Sequence, residues 1–136
     1  MGNPLHLGFP SVIESYAANT PFGALFEDDG KVAYLYGLDT RLADNPVVDS
    51  VCVYNVSELF TRPRGVLDVH VEYDAELVWS PDQMRVVFLL NRYPHAAFDF
   101  ASKRAYCRSN FPSASQWSAS GHAWDDHVAD FLNATR

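Results

Sequence analysis

Over residues 11–109 apolar and polar side chains alternate with a period close to two, the repeat of a strand whose faces meet different surroundings. Residues 22–27 and 31–37 flank Asp28-Asp29-Gly30. Asp-Gly between two such runs predicts a tight hairpin, because the turn needs positive φ and glycine supplies it without steric cost. In the second arm Val32, Tyr34 and Tyr36 face one way, and Ala33, Leu35 and Gly37 the other. Pro46 interrupts the chain before a β-branched run over 47–56, which predicts another strand. Residues 57–65 carry proline, glycine and two arginines and predict a loop with one short helical turn.

Alternation over 66–73 puts Leu67, Val69, Val71 and Tyr73 on one face and Asp68, His70 and Glu72 on the other, a half-exposed strand. Residues 76–79 and 84–91 surround Ser80-Pro81-Asp82-Gln83, a turn with proline at its second position. Val86-Val87-Phe88-Leu89-Leu90 is apolar on both faces and predicts a central, fully covered strand, broken by Tyr93-Pro94. Residues 96–100 and 104–108 form a last hairpin around Ser102-Lys103, and the serine-rich stretch 109–120, with Pro112, predicts an irregular connection. In the tail the period changes. Trp124, Val128, Phe131 and Leu132 form one helical stripe, with Ser120 as its cap and Asp125 and Asp126 near its positive end. The fold class these elements predict is α+β with β predominating: a mostly antiparallel sheet, or a sandwich of hairpins, with one C-terminal helix packed on it.

Composition narrows the function more than the fold. A chain of 136 residues, 48% of them apolar, predicts a single domain spanning 1–136. No run of 18 apolar residues is present, and the first residues lack a basic stretch followed by an apolar core, so the expectation is a cytoplasmic protein. The net charge of −7 is the wrong sign for nucleic acid or an anionic membrane and points to a basic protein partner. Cys52 and Cys107 share no metal-type spacing and predict buried free thiols.

Local catalytic, phosphate-binding and metal motifs are absent from the sequence, which predicts no cofactor and no metal. Three polar clusters stand out. Glu27-Asp28-Asp29 with Asp39 fits no calcium loop and suits turn chemistry; as surface acids, Asp28, Asp29 and Asp39 are candidate binding residues. His122, Asp125, Asp126 and His127 lack the four-residue histidine spacing of a helical zinc site, and His122 with Asp126 falls on the predicted solvent face. In the third, His95, Ala97 and Asp99 share a strand face, and Arg104 or Arg108 can meet them across the hairpin. Such a group suits acid–base work or anion binding, but no nucleophile accompanies it, and a structural ion pair explains it equally.

The blocks Phe26-Glu27-Asp28-Asp29-Gly30 with Tyr34-Leu35-Tyr36-Gly37-Leu38-Asp39, and Asn91-Arg92-Tyr93-Pro94-His95-Ala96-Ala97-Phe98-Asp99-Phe100 with Tyr106-Cys107-Arg108-Ser109-Asn110-Phe111-Pro112, resemble a small family of bacterial proteins of unknown function. The resemblance covers about half the chain and brings no activity, cofactor or catalytic residue with it. Size and charge are also similar to those of immunity proteins that neutralise secreted toxins. The leading expectation is thus a non-catalytic protein-binding module, with an immunity-type inhibitor of a basic partner as its specific form. The alternatives are a small enzyme or ligand-binding domain using His95, Asp99 and an arginine in a sheet-lined cleft, and a domain that forms homo-oligomers, such as a homodimer, through an exposed sheet edge.

Overall fold

The computed structural model describes residues 2–61 and 67–134. Among these residues nine strands follow one another as β1 (Asn3–His6), β2 (Ser11–Tyr16), β3 (Phe22–Asp28), β4 (Val32–Asp39), β5 (Val47–Asn55), β6 (Glu72–Trp79), β7 (Arg85–Leu90), β8 (Tyr93–Asp99) and β9 (Arg104–Cys107). They form two antiparallel sheets, one ordered β1-β6-β7-β8-β9 and the other β2-β3-β4-β5. A short helix α1 (Val56–Thr61) follows β5, and a 3-10 turn (Asp126–Ala129) leads into α2 (Phe131–Ala134). The class is the expected β-predominant α+β.

The alternating pattern decides which faces meet. Phe26, Leu35 and Val51 of one sheet and Val86, Phe88 and Phe98 of the other form one buried cluster, because burying apolar area on both inner faces removes it from water. The Phe26 and Phe88 rings stack across the interface at 4.3 Å. Phe88 is fully buried on β7, the middle strand of its sheet, as its all-apolar run predicts. Gly37 permits the closest approach: a Cβ there would lie 2.5 Å from the Phe98 ring.

The hairpin at Asp28-Asp29-Gly30 forms as expected. Asp29 Oδ1 accepts from the Lys31 and Val32 amides, and Gly30 has φ +93°. Other expectations need correction. The strand expected over 66–73 begins only at Glu72; Val66 lies outside the described residues. Asp68 accepts from the His70 amide, and Tyr73 Oη accepts from the Asp68 amide, so local bonds draw the backbone out of the ladder while Leu67 and Val69 still pack on the core. The expected helical turn within 57–65 is α1, and 62–66 fall outside the described residues. Tyr93-Pro94 does not end the sheet. Asn91 and Arg92, with φ +50° and +68°, make a two-residue hairpin turn, and Tyr93 opens β8 opposite Leu90. β1 has no clear sequence signal, since Leu5 alone of its residues is buried.

The tail departs most from its pattern. Residues 122 and 123 run alongside β9, where Cys107 pairs with Ala123 and the Cys107 amide donates to His122 O. Helical geometry therefore starts later than Ser120: Asp125 is the cap, accepting from the His127 amide, and the tail makes only the 3-10 turn and α2. The apolar stripe is nonetheless used. Val128 and Ala129 are buried against Val87, Leu89, Ala97 and Tyr106 on the outer face of the five-stranded sheet, with Trp124, Phe131 and Leu132 at the margin. Among the described residues no helix is long and apolar enough to cross a membrane.

Candidate functional site

The four-stranded sheet buries one face and leaves the other open over β2 and partly open over β3 and β4. Ala24, Phe26, Ala33 and Leu35 enter the core, so period two turns Val12, Glu14 and Tyr16 of β2, Leu25 and Glu27 of β3, and Tyr34 and Tyr36 of β4 outward. Val12 is 60% exposed and Tyr16 51%. Cross-strand pairing sets Glu14 opposite Leu25, Leu25 opposite Tyr36, and Glu27 opposite Tyr34. The Tyr34 and Tyr36 rings stack at 6.1 Å, and Tyr16 Oη donates to Glu14. Partial burial, then the negative charges of Glu27 and Asp29, raise the Tyr36 pKa above its ordinary value. The result is an aromatic face with acidic side chains among its rings.

Of the three predicted binding acids, Asp29 alone is exposed. Asp28 is buried, with its carboxylate accepting from the Gly8 and Gly30 amides and from Tyr54 Oη. Asp39 is held by Arg41, whose Nε and Nη2 reach it at 3.0 and 2.9 Å; that hydrogen-bonded pairing holds its carboxyl below the usual range. These two acids fix turns, as the turn reading of the cluster anticipates.

His95, Asp99, Arg104 and Arg108 do not converge as one group, although the β8–β9 register sets Arg104 opposite Asp99. The β7–β8 ladder pairs Phe88 with Ala96 and Leu89 with Pro94, leaving His95 as the extra residue of a bulge. The bulge breaks the alternation that would place His95 with Asp99. Asp99 instead receives the Ala101 and Ser102 amides and pairs with Arg85 at 3.4 Å. Arg104 donates to Gly121 O and lies over the Tyr106 ring. Arg108 donates to Pro94 O and is sandwiched between Tyr93 and Trp124, 4.5 Å from each centroid. His95 and Arg108 do share one feature: both line an open-ended cavity of about 1140 Å³, together with Tyr34, Cys52, Leu59 and Leu90. Burial, helped by Arg108, lowers the His95 pKa to about 4, so its imidazole is neutral at neutral pH. Burial pushes the Cys52 thiol up to about 11, and Cys52 and Cys107 are both free thiols.

A further polar group escapes sequence reasoning because its members are distant. His122 is fully buried, not on a solvent face: its Nε2 meets Asp49 Oδ2 at 2.8 Å and its Nδ1 meets Pro112 O. Asp49 Oδ2 also accepts from Ser118 Oγ, which in turn accepts from the Ala105 amide. The residue types are those of a hydrolase triad, but the connectivity is not. The serine donates to the aspartate and has no bond to the histidine, and Ser118 and His122 are sealed from solvent. Both ring nitrogens thus meet oxygen partners, and the group ties the tail to β5. Among the described residues no cluster of three or more histidine, cysteine or carboxylate side chains is arranged to hold a metal.

The family described as an uncharacterized protein conserved in bacteria (DUF2251) matches residues 5–133. A relative from Haemophilus influenzae, described as an uncharacterized protein, is 33% identical over 112 residues, which cover 82% of this chain and 62% of the relative. The chain thus spans less than two thirds of that relative's length. No solved structure matches. Because the family match takes in both sheets and the tail, the chain belongs to this bacterial family, DUF2251.

Proposed function

We propose that the protein is a non-catalytic binding module whose open tyrosine-and-glutamate face docks a basic protein. The observation that carries this reading is the face itself: Val12, Tyr16, Leu25, Tyr34 and Tyr36 interleaved with Glu14 and Glu27 on a sheet whose other side is the core. Tyrosines anchor interfaces well, because each buries a large rigid surface and keeps a polar tip. A lysine or arginine from the partner gains both a ring face and a carboxylate. The net charge of −7 steers such a partner inward. Neutralising a basic toxin, as immunity proteins do, is one role of this kind, and a reducing cytoplasm suits the two free thiols.

The separation of His95 from Asp99 and Arg104, which are held by other partners, supports the non-catalytic reading over the enzymatic one. The test is Glu14→Lys/Glu27→Lys, two exchanges on the sheet's outer face that leave the core untouched. Association with the partner is expected to slow by tenfold or more at low salt while dissociation changes little. An unchanged association rate contradicts the proposal. Sedimentation of the free protein separates it from self-pairing through the β2 edge, which would make the mass concentration-dependent.

A further inference from the structure

We propose that the cavity beside His95 is a second binding site, for a small organic monocarboxylate with an apolar body. The cavity, of about 1140 Å³, is slightly larger than most ligand pockets and has room for a chain of eight or more carbons. Its apolar wall includes Leu59, Leu90 and Tyr34. His95 supplies the polar handle. It is 7% exposed, and no described residue hydrogen-bonds its ring nitrogens; since no shielded side-chain nitrogen or oxygen among the described residues lacks a partner, those nitrogens are open to the cavity. A ring nitrogen that opens on a cavity and has no protein partner is available to a ligand's polar atom.

Charge selects the sign of that ligand. The Arg108 guanidinium lies on the same wall, and its carboxylate neighbour, Asp126, is 3.9 Å away with a side chain 86% exposed. That pair is screened by water and leaves Arg108 weakly compensated. A carboxylate beside His95 accepts its N–H and gains the Arg108 charge. Arg108 is the one guanidinium among the described residues lining the cavity, so one carboxylate is expected rather than two.

The test is calorimetric and NMR titration of the full chain with octanoate, octan-1-ol and octylamine. Octanoate is expected to bind saturably, with amide shifts at His95 and Arg108 and an affinity at least tenfold above that of the alcohol or the amine. His95→Phe should cost octanoate a similar factor. Leu59→Trp, which fills the apolar end from a partly exposed helix position, should abolish binding and keeps the test usable if the first variant folds poorly. Equal binding of the alcohol or amine, no saturable binding of octanoate, or undiminished binding to both variants overturns the proposal. Glu14→Lys/Glu27→Lys is expected to bind octanoate normally, so failure here and failure of the docking face are read separately.

Discussion

Gly30 and His95 show how single residues set terms that their neighbours must meet. At Gly30 a Cβ would be 3.6 Å from Gly8 O, an ordinary contact, so the constraint is the backbone at φ +93° and not space. Gly30→Val is therefore expected to destabilise the fold by about 1–2 kcal/mol, the cost of left-handed geometry for a side-chain-bearing residue, as read from the denaturant midpoint. An unchanged midpoint would show that the turn relaxes freely. His95 titrates with the opposite logic to a paired histidine. Its pKa falls from 6.5 to about 4 on folding, so the unfolded chain takes up the proton first. The contribution is complete above pH 6.5 and is lost as pH falls toward 4. Between pH 7.5 and 4.5 the stability of wild type relative to His95→Phe should drop by about 2–3 kcal/mol. A difference independent of pH would mean that His95 is hydrated. The Asp-Gly turn was legible because its chemistry is local. The solitude of His95 was not, because it depends on a bulge that one strand's alternation cannot announce.

At the scale of elements, periodicity located most strands but not their surroundings. Val86-Val87-Phe88-Leu89-Leu90 reads as central because both faces are apolar, and both are covered, one by the opposite sheet and one by the tail. The tail itself reads as a helix because Trp124, Val128, Phe131 and Leu132 share a stripe. Tertiary pairing of residues 122–123 along β9 overrides that tendency and takes His122 inside. Nothing local links His122 to Asp49, 73 positions earlier, so no sequence pattern could pair them. His122→Ala is expected to cost about 1–3 kcal/mol, because it removes one partner of the buried Asp49 carboxylate, which keeps Ser118 Oγ and the Ser50 amide, and to loosen the tail. Hydrogen exchange should then speed up first at the Cys107 amide, which donates to His122 O. A loss under 1 kcal/mol would demote the Ser118–Asp49–His122 group to a passive contact.

For the whole molecule, the two sheets divide the work. The five-stranded sheet has its outer face covered by the tail, while the four-stranded sheet offers an aromatic, acidic face outward. The acidic balance was legible from composition, but its location was not: Asp28 and Asp39 are consumed by turns, and the acids that face solvent beside tyrosines are Glu14 and Glu27. Charge reversal should therefore matter on β2 and β3. Reversing Asp28 should instead unfold the β2–β3–β4 hairpins, since its carboxylate holds two amides and a tyrosine. The most direct measurement is the association rate of the chain with its captured partner at 0.05 and 0.5 M salt, for wild type and for Glu14→Lys/Glu27→Lys. The expected result is a wild-type rate that falls at least tenfold with salt and a variant rate that is slow at both. A wild-type rate indifferent to salt, or a variant that associates as fast as wild type, contradicts the account.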